Sequence, residues 1–280
     1  MTKQLHKVCR ELLESGKVQV IIGYGQKDRG QPPHPVFITS PEEVEGLVWN
    51  DQCVANLTTY LTRKEIRALG KPAIIVKGCD ARAIVVLQRE SQIDRSAMVV
   101  IGMACNGVGE PRLAKCAACD AHVPAHVDIT IGEAVSEPVD PERRYNDLNV
   151  FMTQSTDERM DYWQDELERC VRCYACRQVC PLCYCERCVA DKNRPVRFST
   201  APTLKGNYAW HITRAFHLAG RCIGCDECTR ACPAGINLRL LNLSVARAAE
   251  NAFGYRAGLD PEAEPVIGSF STQDKESFIK

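Results

Sequence analysis

Two cysteine runs of one form constrain this chain more than anything else in it. The first is Cys170-x2-Cys173-x2-Cys176-x3-Cys180-Pro181, and the second is Cys222-x2-Cys225-x2-Cys228-x3-Cys232-Pro233. This spacing holds cubane iron–sulfur clusters. Three cysteines two residues apart wrap a tight loop around one side of a cubane. The proline after the fourth removes a backbone donor and fixes φ, so the chain turns away. Where two such runs occur together, the fourth cysteine of each serves the other cluster. The pairing expected is therefore Cys170, Cys173 and Cys176 with Cys232, and Cys222, Cys225 and Cys228 with Cys180. A disulfide lattice or zinc sites are the competing readings.

The 280 residues are enough for two domains. Equal numbers of basic and acidic residues, 35 each, give no net charge, which argues against nucleic acid or an anionic membrane surface as partner. Seventeen cysteines at ligand spacings, behind a polar start with no signal-peptide pattern, favour a reducing cytoplasm, and an anaerobic host is plausible. No apolar run approaches the roughly 18 residues that a membrane span needs.

Residues 1–140 read as an α/β domain with a mostly parallel sheet. A helix is expected over residues 1–15, then strands at Val18–Ile22 and Val36–Ile38. A helix start follows at Ser40-Pro41-Glu42-Glu43, then a helix over 54–69 and a strand at 73–76. A helix at 80–90 and a strand at 98–103 complete the pattern. Ligands of open α/β sheets sit beyond the carboxyl ends of strands. Those ends carry Gly23-Tyr24-Gly25, Gly78-Cys79-Asp80 and Cys105-Asn106-Gly107, followed by Cys116-x2-Cys119. Cys79, Cys105, Cys116 and Cys119 could thus converge as four thiolates for a cubane or a tetrahedral zinc. Ordinary buried thiols are the alternative for Cys79 and Cys105. Cys116, Cys119, His122 and His126 are a zinc-like set, but with too short a spacer and with Pro124 between the histidines. Cys53 is a fifth candidate ligand, read as structural. Gly23 and Gly25, with Gly78, Asn106 and Gly107, could let backbone amides approach a flavin pyrophosphate, FAD being the flavin in view; a plain turn is the competing reading of Gly23-Tyr24-Gly25.

Residues 150–258 read as a mainly α-helical domain carrying both runs, and 259–280 as a flexible tail. The boundary is placed near Glu137–Pro141. Helices are expected over about 157–168, 210–218 and 238–250, and Met160, Trp163 and Leu167 are expected to pack in the core. Cys183, Cys185 and Cys188 crowd behind the first run with no assigned role. Zinc, a third cluster with an outside ligand, a redox thiol pair and unused thiols all stay open. Arg169, Arg172, Arg177, Arg187, Arg221 and Arg230 lie near the runs and could raise cluster potentials or form a docking face. His211 and His217 are expected to pack or cap.

Several segments carry a family resemblance. Lys77-Gly78-Cys79-Asp80, Ile101-Gly102-Met103-Ala104-Cys105, and Cys116-x2-Cys119-Asp120 followed by Asp128-Ile129-Thr130-Ile131-Gly132 resemble the beta subunits of coenzyme F-420-reducing hydrogenases and formate dehydrogenases. The second half resembles a helical two-cluster 4Fe-4S ferredoxin domain. The resemblance implies a third 4Fe-4S cluster in the N-terminal domain, near a flavin that exchanges hydride with a nicotinamide or deazaflavin. It implies an electron-transfer subunit whose partners are other subunits of a redox complex, a hydrogenase, a formate dehydrogenase or a flavoprotein. The N-terminal domain is short for that family. A self-contained flavin-dependent NAD(P)H or F-420 oxidoreductase, a disulfide reductase of the heterodisulfide-reductase type and a zinc-stapled interaction module are the alternatives. The second of these expects a Cys-Cys dipeptide that is absent.

Overall fold

The first half of the chain is organised by strands whose successive side chains pack into two different cores. In the computed structural model, residues 29, 134–139, 192–194, 197–198 and 267–280 are not described; the rest are. The elements are α1 (Thr2–Glu14), β1 (Val20–Gly25), β2 (His34–Ile38), α2 (Lys64–Arg67), β3 (Pro72–Val76), α3 (Gly78–Arg89), β4 (Val99–Met103), α4 (Ala114–Ala117) and β5 (Ile129–Ile131). The strands form one sheet in the order β2-β1-β3-β4-β5. β2 runs antiparallel to β1, and the other pairings are parallel, with Ile22 opposite Ile74, Ile75 opposite Ile101 and Ile101 opposite Ile129. Alternation sends Ile21, Ile75 and Ile101 to one face, under Leu5, Cys9 and Leu12 of α1. Ile22, Ile74 and Val100 go to the other, under Leu57, Leu61 and Ile84. Both faces of the central strands β3 and β4 are covered, which is why those two are apolar throughout, whereas the edge strands carry His34 and Thr130.

Three local expectations change. β1 runs on through Gly23-Tyr24-Gly25, so these residues are strand and not a loop. A Cβ at Gly23 would lie 2.6 Å from Leu47 and 2.8 Å from Ile75, and one at Gly25 would lie 2.5 Å from Val36. The two glycines answer to sheet packing. Residues 54–69 are not one helix. They form a 3-10 turn at Leu57–Tyr60 and the short α2, because the Asn56 side chain accepts from the Thr58 amide and starts the turn locally. The capped start at Ser40 gives only a 3-10 turn, Pro41–Gly46.

From Pro141 onward the described elements are helices and 3-10 turns: α5 (Asn146–Met152), α6 (Thr156–Glu168), α7 (Ala175–Gln178), α8 (Leu204–His217), α9 (Glu227–Arg230) and α10 (Leu238–Phe253). α6 begins at a capping box, Ser155 with Glu158. Of its expected core stripe, Leu167 is buried and Trp163 half-buried against Phe151, but Met160 is 56% exposed. α8 starts six residues earlier than the sequence suggested, because Thr203 caps the Gly206 amide. The expected boundary near Glu137 lies largely outside the described residues.

The expected tail is not free along its first part. Arg256 pairs with Asp120 at 2.5 Å, the Leu259 carbonyl meets His126 at 3.1 Å, and Arg89 donates to the Ala263 carbonyl at 3.0 Å. Residues 256–263 therefore lie against the N-terminal domain, held by backbone carbonyls that composition does not reveal. The rest of the tail, 267–280, lies outside the described residues. Elsewhere, Glu90 at the end of α3 holds Arg221 at 2.5 Å and also bonds the Tyr184 hydroxyl. No described helix is long and apolar enough to cross a membrane.

Candidate metal centres

The two cysteine runs share one backbone course. Arg172 (φ 56°) and Gly224 (φ 72°) precede the second cysteine of each run, and Tyr174 (φ 60°) and Asp226 (φ 64°) follow it. All four are left-handed, and Tyr174 and Asp226 each open a one-turn helix, α7 and α9. Three of the four are not glycine, so each loop holds a conformation that L residues rarely adopt. This curls the chain so that the amides of Arg172 and Gly224 point at the sulfurs of Cys170 and Cys222.

The curl places the thiols around two cavities. One is lined by Cys170, Cys173, Cys176 and Cys232, with Arg172, Trp210, His211, Ile236 and Leu238. The other is lined by Cys180, Cys222, Cys225 and Cys228, with Leu182, Arg214, Leu218 and Asn242. Each cavity takes three cysteines from one run and the last cysteine of the other. Sequence reasoning missed the polar groups that touch these sulfurs. His211 Nε2 lies 3.2 Å from Cys170 Sγ, and the Asn242 amide donates to Cys228 Sγ at 3.5 Å. Their signal is faint: polar residues on the buried face of an otherwise apolar helix.

The N-terminal thiols also meet. Cys79 follows β3 at the start of α3, Cys105 follows β4, and Cys116 and Cys119 come from α4 and the residues after it. All four line one cavity with Arg82, Arg239, Arg256 and Lys115. A buried network seats Cys79: Lys77 Nζ pairs with Asp80 at 2.9 Å, donates to the Ala55 carbonyl at 2.7 Å and bonds Tyr24. Gly78 has no room for a side chain, since a Cβ would lie 1.9 Å from the Ala121 carbonyl oxygen. Amides of Val108 and Ala121 donate to the sulfurs of Cys116 and Cys119, each at 3.4 Å. This cavity reaches the second half of the chain, because Cys222, Ile223 and Gly224 also line it. Lys115 donates to the Cys225 carbonyl at 2.8 Å across the same junction.

Of the glycine set, Gly78 and Gly107 line this cavity, whereas Gly23, Gly25 and Asn106 do not. Cys53 is buried under the sheet, its sulfur accepting from the Asn50 amide at 3.4 Å, and burial pushes it up to about 11. The zinc-like histidines turn away from the thiols: His122 meets the Cys105 carbonyl and His126 the Leu259 carbonyl. Cys183, Cys185 and Cys188 do not form a set of their own. Cys183 bonds Cys180, Cys185 is exposed, and Cys188 packs in the cluster around Trp210. Most of the expected arginines are engaged with neighbours: Arg177 with Asp191, Arg221 with Glu90, Arg230 with Glu227, Arg169 with Glu166, while Arg187 is exposed.

The donor set fits a cluster rather than a lone ion. Among the described residues, no three Cys, His, Asp or Glu side chains converge closely enough for one metal. A single zinc needs its thiolates at about 2.3 Å. Here the thiols that line each cavity do not converge that closely on one point. Burial pushes Cys176 up to about 11 and Cys228 to about 12, so these thiols need a positive partner before they ionise.

Residues 169–237 match the family described as 4Fe-4S dicluster domain. The chain is also similar to formate dehydrogenase beta subunits. The F420-dependent formate dehydrogenase subunit beta of Methanocaldococcus jannaschii is 29% identical over 108 residues, covering 39% of this chain and 28% of that relative. The F420-dependent formate dehydrogenase 1 subunit beta of Methanococcus maripaludis is 21% identical over 354 aligned positions, 92% of this chain and 90% of that protein.

Proposed function

We propose that this chain is an iron–sulfur electron-transfer subunit of an oxidoreductase complex, with one 4Fe-4S cluster in each of its three thiol-lined cavities. The observation that carries the reading is the exchange of Cys180 and Cys232 between the two runs, the arrangement expected of paired cubanes. Clusters bound there would supply one-electron transfer, which protein side chains lack. The thiols hold them. Trp210, Ile236, Leu238, Leu182 and Leu218 keep water from the two inner walls, and backbone amides donate to sulfur.

The cavities follow one another through the molecule. The N-terminal cavity borders the middle one at Cys222–Gly224, and α7 packs on α9 between the middle and outer ones. Cys173 of the outer cavity is exposed. We assign the strand ends of the N-terminal domain to one terminus of the relay and the Cys173 face to the other, where a partner subunit would dock. The relatives are named formate dehydrogenase beta subunits, and a catalytic subunit of that type is the partner we infer. The two-electron carrier, a flavin or deazaflavin, would approach the N-terminal cavity from outside, since Gly23 and Gly25 are spent on sheet packing. Free thiolates for metal fit a reducing compartment, which we take to be the cytoplasm.

The test is metal and sulfide analysis with EPR on protein purified without oxygen. Three cubanes give about twelve irons per chain. Zinc in place of iron, or colourless protein after anaerobic reconstitution, overturns the reading. About eight irons would confine the clusters to the second half.

A further inference from the structure

Three polar side chains lie on the buried face of α8, Asn207, His211 and Arg214, and the last two line the thiol cavities. His211 is 2% exposed and Arg214 is 5% exposed. His211 lines the outer cavity and touches the Cys170 sulfur. Arg214 lines the middle cavity instead. It donates to the Cys176 carbonyl at 3.1 Å and bonds the Cys183 sulfur, and its Nε has no partner.

Arg214 stands apart from the other buried cations. Lys77 pairs with Asp80, Lys115 lies 4.0 Å from Glu227, and Arg239 pairs with Asp147. Arg172 also lacks a carboxylate, and both arginines lie over Trp210, but the Arg172 guanidinium is turned to two carbonyls, those of Gly206 and Ser199. Among the described residues Arg214 forms no ion pair with a carboxylate. Its neighbours are sulfur-bearing residues: it bonds the Cys183 sulfur and the Cys176 carbonyl, and shares the middle cavity with Cys180 and Cys228. A buried charge without a counter-charge is costly. The place for that counter-charge is the thiolate-bound centre on either side.

We propose that Arg214 is a potential-setting residue: its permanent positive charge, lodged between the two quartets, favours the more negative, reduced state of the middle centre over that of the outer one. The proposal rests on the cluster reading above. Positive charge near an iron–sulfur centre raises its potential, as hydrogen bonds to the sulfurs do. The outer centre receives His211, which brings a hydrogen bond, and its own buried cation, Arg172, whose guanidinium is turned to the carbonyls of Gly206 and Ser199. The middle centre receives the Arg214 guanidinium.

The experiment is an anaerobic redox titration of the full chain followed by EPR, with iron content measured on each sample. Signals are assigned with Cys180→Ser and Cys232→Ser, which remove the fourth ligand of the middle and outer centres. Arg214→Gln should lower the reduced-to-oxidised ratio of the middle centre at least tenfold at its original midpoint, a shift of about 59 mV for one electron. The outer centre should move less. Arg214→Lys, which keeps the charge, should stay within twofold of the parent. Full iron with unshifted potentials in Arg214→Gln overturns the proposal and leaves the cluster reading standing. If the glutamine variant loses iron, the lysine variant decides: a tenfold fall with full iron shows that charge is not what matters. Iron loss in both variants makes Arg214 a packing residue and also ends the proposal. Parent protein without cluster signals removes the earlier reading, and this one with it.

Discussion

Cys180 and Cys232, the last thiols of the two runs, each sit in the cavity built by the other run. Neither half of the dicluster region can therefore complete its thiol set alone. Cys232→Ser should remove the centre at Cys170, Cys173 and Cys176, and Cys180→Ser the one at Cys222, Cys225 and Cys228. Each should cost about four irons per chain or convert a four-iron signal to a three-iron one. Iron analysis with EPR checks which signal disappears; loss of the uncrossed centre would show the pairing to be wrong.

His211→Leu removes the 3.2 Å approach to Cys170 Sγ while keeping an apolar side chain beside Trp210. The outer centre should then titrate at lower potential, since a hydrogen bond to sulfur is lost. The middle centre should hold its midpoint. An EPR-monitored redox titration separates the two.

Gly78→Ala should destabilise the N-terminal domain by about 1–3 kcal/mol or more, because the new methyl meets the Ala121 carbonyl in a packed site. Gly46→Ala, with nothing within 4 Å of its would-be Cβ, is the matched control and should change little. Urea unfolding followed by circular dichroism gives both values.

Glu90→Gln weakens the link between α3 and the second half. Arg221 is 20% exposed at that pair, so the cost should be about 1–3 kcal/mol, below the about 3–5 kcal/mol of breaking a fully buried pair. A lowered thermal midpoint, with iron content unchanged, is the expected result by calorimetry.

Cys185 and Cys173 are the two exposed thiols. Ligation would protect Cys173 but not Cys185. Brief alkylation without oxygen should label Cys185 in the iron-loaded protein and add Cys173 only after iron is stripped, with peptide mass spectrometry as the readout. Equal labelling of both in loaded protein would place Cys173 outside the outer centre.

Much of this was legible in the chain. The cysteine spacing pointed to both quartets, because local spacing determines which three thiols can share a loop. Short apolar runs marked the strands at 72–76 and 99–103, whose two covered faces demand apolar residues at every position. What failed to show was set by long-range packing. Gly23 and Gly25 looked like a turn because nothing local reveals Leu47, Ile75 and Val36 beside them. The helix expected over 54–69 breaks where the Asn56 side chain offers the backbone a competing partner. His211 read only as a packing or capping residue and Arg214 carried no local signal, because nothing in the chain reveals that α8 turns that face to the sulfurs.

The return of residues 256–263 to α3 and the loop after Cys119 means that the chain joins its two halves twice, once near residue 140 and again near its end. Domains linked by one strand of chain usually swing freely. Here a swing would have to peel away the Arg256–Asp120 pair as well as the Lys115 bridge to Cys225. Tunnelling rates fall exponentially with separation, so a frame stitched at both ends keeps thermal breathing from reaching the gap that an electron must cross.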